Sequence, residues 1–338
     1  MHRRQALRSL AGLGMGGSMG GLVFGLAGAL VGCAGPGAGG HGAAATPPGD
    51  DPLLTRGRSV AGGFLAPPQV GTGLPVRPGT GMFVKLIAPQ AVALRGNDLL
   101  VLDAGSGRLW RIDLVFNTLS AIAGAPARHD TALALGPDGS AWVLDTDNRQ
   151  VLRFARDGRL LQNQRIAVQV ATPVALALAD GGLTVLLAGG QAAQWSEQRG
   201  VGGQVQRLSP AVAGGQRVVS VHDLAVQAAH GPQAETVWLL DRLGGAVHQV
   251  RRDGQWLQTL GVGDLQQPAA LAVDGFNRAF VVDQAGRQLV CLQAGQPARR
   301  LAAADLGVQQ IGGLAIDERQ LVLSDRLAGQ VVMHRLGR

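Results

Sequence analysis

The sequence predicts an all-β chain whose main body is a six-bladed β-propeller, and two observations carry that expectation. First, an apolar strand recurs six times: Leu99-Leu100-Val101-Leu102-Asp103, Ala141-Trp142-Val143-Leu144-Asp145, Leu183-Thr184-Val185-Leu186-Leu187, Val237-Trp238-Leu239-Leu240-Asp241, Ala279-Phe280-Val281-Val282-Asp283 and Leu321-Val322-Leu323-Ser324-Asp325. These end at positions 103, 145, 187, 241, 283 and 325, so four of the five intervals are 42 residues and one is 54. A period near 40 with several short strands in each unit is the signature of propeller blades. Second, the composition suits short strands and tight turns. Of 338 residues 52 are Gly and 16 are Pro, while a hydrophobic fraction of 46% supplies a core and excludes global disorder.

The elements follow in order. A basic head, His2-Arg3-Arg4-Gln5-Ala6-Leu7-Arg8, precedes a charge-free stretch from Ser9 to Gly32. Basic residues, then an apolar region, then small residues mark a secretory signal over 1–32. Leu30-Val31-Gly32-Cys33 resembles a bacterial lipobox, and the resemblance implies cleavage before Cys33 and lipid attachment to it. Arg3-Arg4 followed by Leu7 resembles a twin-arginine export motif, with Ala6 where a Phe is usual. In the lipoproteins this resembles, Asp after the Cys favours the inner membrane. Ala34 stands there instead, which points to an outer-membrane, periplasm-facing anchor in a Gram-negative source.

Residues 33–80 are rich in Ala, Gly and Pro with no sustained period, which predicts a lipidated Cys followed by a flexible tether. Such a segment reaches roughly 35–40 Å. The propeller is expected over 81–338. Each unit opens on small and apolar residues, as in Ala91-Val92-Ala93-Leu94, Ala132-Leu133-Ala134-Leu135, Ala175-Leu176-Ala177-Leu178, Leu224-Ala225-Val226, Ala270-Leu271-Ala272-Val273 and Gly313-Leu314-Ala315-Ile316. Small residues fit the innermost strands, which crowd around an axis. Pro137-Asp138-Gly139, Asp157-Gly158, Asp253-Gly254 and Asp274-Gly275 supply turns.

These units resemble the NHL-repeat family of six-bladed propellers over residues 81–338, Gln267 to Leu301 most clearly. The resemblance implies a fold and leaves function open, because the same ring serves scaffolds, binders and enzymes. The sixth unit stops one strand short at Arg338. The strand-like Met82-Phe83-Val84-Lys85-Leu86-Ile87 is therefore expected to pair with Gln330–Leu336 and close the ring, making 81–88 indispensable and 34–70 dispensable.

The candidate site lies in the loops that enter each innermost strand and converge on one channel mouth. They carry Gln90, His129, Asp130, Thr172, His222, Asp223, Gln267 and Gln310. His129-Asp130 and His222-Asp223 could together hold a divalent metal, although a third histidine is not evident. No cofactor is otherwise predicted. The recurrent Asp at 103, 145, 241, 283 and 325 reads as structural, a carboxylate accepting backbone N–H groups of the following turn, which every blade needs. Leu187 breaks that series, so the third blade should turn differently there. Trp142 and Trp238 share one repeat position and read as core between blades. Cys291 sits in an apolar run and reads as a small buried hydrophobe.

Charge and motifs narrow the function. Without Arg3, Arg4 and Arg8 the net charge falls from +7 to +4, and no run of five like charges appears, so nucleic acid is not the expected partner. The propeller carries no Gly-x-Ser-x-Gly elbow, P-loop or dinucleotide fingerprint. The longer 54-residue interval places extra loop at 228–234 and between Arg199 and Val221, a place for binding. The expectation is therefore a lipid-anchored cell-envelope module that binds a protein or ligand. The alternative is a metal-dependent lyase or lactonase using the two His-Asp pairs. A third reading, a sensor for a small anionic ligand, uses Arg108, Arg149 and Arg242.

Overall fold

The computed structural model describes residues 53–66, 81–128, 131–166, 172–179, 182–196, 200–208, 212–213, 215–218, 220–227 and 236–337. The signal, Cys33 and most of the predicted tether lie outside these residues, as do His129, Asp130 and the 228–234 loop. Six sheets form six blades, antiparallel but for one parallel pair at the outer edge of blade one, with one 3-10 turn at Gln284–Gly286 as the single helical element among the described residues.

Each blade begins with its innermost strand and moves outward. The innermost strands are Pro89–Arg95, Ala132–Leu135, Pro173–Ala179, Val221–Gln227, Ala270–Val273 and Ile311–Asp317. Each pairs with the predicted recurrent strand, as in Ala91↔Leu102, Ala132↔Leu144, Ala175↔Leu186, Asp223↔Leu240 and Ala270↔Val282. The 54-residue interval contributes a small hairpin, Val212–Ala213 with Gln216–Arg217.

The core is six slabs, each between neighbouring blades. Alternating residues of a strand face opposite neighbours, so one strand feeds two slabs. Phe280, Leu289 and Cys291 of blade five meet Leu321, Leu323 and Val332 of blade six. Val322, Val331 and Met333 of blade six meet Leu99, Val101 and Ile112 of blade one. Trp142 and Trp238 lie buried in two further slabs, and Cys291 is a free, buried thiol, as expected.

Of the recurrent aspartates, Asp103, Asp241, Asp283 and Asp325 hold the loop entering their own blade, which the expectation of the following turn alone did not include. Asp145 accepts Asn148 of the turn that follows and Gln150 just beyond it, while Asp241 and Asp325 serve both loop and turn. Asp103 accepts the N–H groups of Ile87 (3.1 Å) and Ala88 (2.6 Å). Asp283 accepts Gln266 and Gln267 N–H, and Asp325 accepts Gln309, Gln310, Leu327 and Ala328 N–H. Leu187 cannot do this. Its blade instead turns in three residues, Ala188 to Gly190, where the other five use four. Removing the carboxylate at Asp283, which is fully buried, strands buried backbone donors. Asp283→Ala is expected to cost about 2–3 kcal/mol in urea denaturation, and Asp283→Asn clearly less.

The ring closes with an N-terminal strand, but not the one expected. Leu54–Val60 pairs with Gln330–Leu336, from Leu54↔Leu336 to Val60↔Val331. The apolar segment 82–87 instead supplies Phe83–Lys85, antiparallel to Gly62–Leu65, which itself runs parallel to the outer strand Thr118–Ala121 of blade one. The tether is accordingly shorter than 33–80, and the fold begins by Leu53. Leu53, Leu54 and Val60 are buried against the blades they join. A chain starting at residue 53 should melt close to the full-length protein. One starting at 67 should melt about 10 °C lower or more, from about 2 kcal/mol for each of these three side chains. Calorimetry of the two truncations checks this.

Candidate functional site

The axis of the ring is an open channel enclosing about 620 Å3, walled by all six innermost strands. Its inner surface is set by crowding. At the register position beside the next-to-last residue of the second strand, five blades carry Ala91, Ala132, Ala175, Ala270 and Gly313, while blade four carries Asp223. Between blades six and one the fit is tightest: a Cβ on Gly313 would lie 2.6 Å from the Gln90 carbonyl oxygen. Ser324 Oγ bonds that junction, accepting Gly313 N–H and donating to Gln90 O.

Asp223 therefore sits in a strand, not in the preceding loop. One carboxylate oxygen accepts its neighbour Leu224 N–H and the other crosses to Leu271 N–H of blade five, both at 2.8 Å. Leu271 is buried in its blade, so this bond joins two innermost strands directly. Burial pushes the Asp223 carboxyl up to about 7, against the pull of the two N–H donors. Part of the residue remains open to the channel. At neutral pH it is thus divided between a neutral acid, able to donate, and a carboxylate.

The remaining expected residues separate into groups. Gln90 lines the channel, and His222 with Asp223 lines an adjoining hollow shared with Thr131, Thr146 and Ala269. Gln267 and Gln310 give their backbone N–H groups to Asp283 and Asp325, and Thr172 gives its carbonyl to Ala188 N–H. These three belong to the loop architecture first. His129 and Asp130 lie outside the described residues. Among the described residues no group of three or more His, Cys, Asp or Glu side chains gathers to hold a metal.

Arginine placement differs from expectation. Arg242 lines the channel, whereas Arg108 and Arg149 stand farther from the axis and are not among its lining residues. Arg108 lies over the Trp110 ring instead. The channel gains Arg326, which the sequence reading missed. The signal was present: Arg242 and Arg326 each follow a recurrent Asp directly. At the opposite mouth the wall carries Arg95 and Asp317. His248 and His334 are buried in third strands, and desolvation lowers both pKa values.

No family model matches this chain, and no curated protein is significantly similar to it in sequence. Its fold is shared with solved structures. A catalytically inactive virginiamycin B lyase from Staphylococcus aureus, solved with quinupristin, is 10% identical with a TM-score of 0.52, covering 76% of this chain and 85% of that one. A protein of unknown function from Bacteroides thetaiotaomicron is 13% identical with a TM-score of 0.54, covering 75% and 70%. YCF48 bound to D1 peptide is 13% identical with a TM-score of 0.48, covering 74% and 78%. At these identities the two likenesses above a TM-score of 0.5 support the propeller fold and nothing finer, and the six blades are counted in this chain's own sheets.

The ionisable groups set opposing pH dependences. Between the ordinary carboxylate value of 3.8 and about 7, the folded chain keeps a proton on Asp223 that the unfolded chain has released. Stability from this group therefore falls as pH rises through that window. His248 and His334 act the other way, losing stability as pH falls below 6.5. Asp223→Asn removes only the first effect. Its stability relative to wild type should rise steadily from pH 4 to pH 7 in denaturant titrations, and a constant difference would refute the assignment.

Proposed function

We propose that the chain is an exported, lipid-anchored binding module of the cell envelope, which docks a protein partner on the channel-mouth face that carries Asp223. Export and anchoring rest on the basic head, the glycine-diluted apolar stretch and Leu30-Val31-Gly32-Cys33. Ala34 after the Cys supports an outer-membrane, periplasm-facing location. Among the described residues no helix is long and apolar enough to cross a membrane.

The docking reading rests on one observation. Two turns on this face present the same dipeptide, Arg242-Leu243 and Arg326-Leu327, with the leucines 73% and 63% exposed. Ile87, 58% exposed, stands on the loop entering blade one, beside the blade-six turn where Gly329 lies against the Leu86 and Ile87 carbonyls. Exposed aliphatic side chains offer apolar area to cover, and the arginines beside them are of a residue type enriched in protein interfaces.

The experiment is site-specific photo-crosslinking at Leu243 and Leu327 in intact cell envelopes. A discrete adduct from a probe at either position, lost when the other leucine is changed to Asp (Leu327→Asp or Leu243→Asp) while melting is unchanged, is the expected result. Cys33→Ser should release the protein from the membrane fraction. The second reading, a metal-dependent lyase or lactonase, is favoured by Asp223 and His222 lining one hollow at this mouth. Metal content of the purified chain separates the two. About one tightly held divalent ion per chain, lost on His222→Ala, would move the assignment to an enzyme.

A further inference from the structure

The two arginines of this rim also line the channel, which docking alone does not require. Each follows its recurrent aspartate and is fixed at the backbone: Arg242 N–H donates to Ser220 O at 2.8 Å, and Arg326 N–H to Gln310 O at 3.1 Å. Their side chains are exposed and line the channel, and no acidic side chain among the described residues pairs with either. At the equivalent position the other blades carry Ala104, Thr146, Ala188 and Gln284. The two charges are therefore specific to blades four and six.

Blade five, which stands between them, turns differently. Its turn places Gln284, Ala285 and Gly286 in the left-handed region, with φ of 51°, 56° and 84°. Two of these are not glycine, a conformation that costs energy unless its surroundings enforce it. The enforcement is visible. Gln310 Nε2 donates to Ala285 O at 2.8 Å, and a Cβ on Gly286 would lie 2.2 Å from Ile311 O, so the turn is pressed inward onto blade six. Ala285 takes the place of the protruding Leu243 and Leu327, and both Ala285 and Gly286 line the channel. The channel wall here thus carries a short-side-chain turn between two arginines that pair with no acidic side chain among the described residues.

We infer that this part of the wall binds a small anion bearing a carboxylate or phosphate group, held between Arg242 and Arg326 over the blade-five turn. Planar guanidinium groups match the oxygens of such anions, and two like charges on one concave wall raise the local potential for them. Asp223, deeper in the wall, is protonated in a large share of molecules near neutrality, which limits the repulsion it adds. The channel volume admits a metabolite-sized molecule behind the anionic group. This site goes beyond the docking reading and does not require it.

The probe is sulfate, whose charge is constant across neutral pH, titrated calorimetrically into the full-length chain at constant ionic strength with chloride as the balancing salt. Saturable binding of about millimolar strength is expected. Arg242→Ala and Arg326→Ala should each weaken it about tenfold, with melting temperature unchanged. Arg95→Ala, at the opposite mouth, should leave it intact. Succinate and inorganic phosphate should compete with sulfate. Absence of saturable binding, or equal loss in Arg95→Ala, overturns the inference. A crosslinked partner without sulfate binding would sink the anion site alone, and sulfate binding without a partner would sink only the docking reading.

Discussion

Neighbouring innermost strands crowd against one another along the channel wall, and the rest of the molecule is arranged around that constraint. Five of the six blades carry Ala or Gly at one shared register position of this strand, Ala91, Ala132, Ala175, Ala270 and Gly313. Where the approach is closest, between blades six and one, even a methyl group is excluded at Gly313, and Ser324 bonds across the junction. Asp223 satisfies the same constraint differently. Its carboxyl group reaches along the wall to the Leu271 N–H instead of into the lumen, so a longer side chain is admitted by being bonded to the neighbouring blade.

Two kinds of acid therefore coexist on one face with opposite physical character. Asp103, Asp283 and Asp325 are fully buried and receive several backbone N–H groups each, which is the arrangement that keeps a carboxylate useful as a hydrogen-bond acceptor. They hold the entering loops at fixed height around the mouth. Asp223 receives two N–H groups in a less polar wall, and burial wins over them. The first kind builds the platform from which Arg242 and Arg326 project. The second gives one sector of the channel a group whose charge varies near neutrality.

Much of this was legible in the residues. The 42-residue spacing, the aspartates, the small residues at strand openings and the shared position of Trp142 and Trp238 all report constraints repeated in every blade. What occurs once is harder to read. The closing strand Leu54–Val60, LTRGRSV, buries only its two ends, because it lies outermost and has one neighbour. It therefore lacks the alternation that marks a strand. Segment 82–87 looked more apolar, yet Met82, Phe83 and Ile87 are exposed. Asp223 was misplaced for a related reason: blade four was matched from Leu224 onward. Matching one residue earlier puts an acid where the other openings have Ala or Gly.

The pairing of Leu54–Val60 with Gln330–Leu336 joins residues about 280 positions apart. A chain exported or synthesised from its N-terminus would hold its first strand without a partner until nearly the last residue had emerged. Five blades could form meanwhile, but the sixth would lack its outer strand and present an open edge able to recruit strands from other molecules. Ring closure is thus a late, high-contact-order event, and the kinetic lifetime of the closed ring depends on how rarely this single seam opens. Any condition that keeps the seam closed therefore also keeps that edge covered.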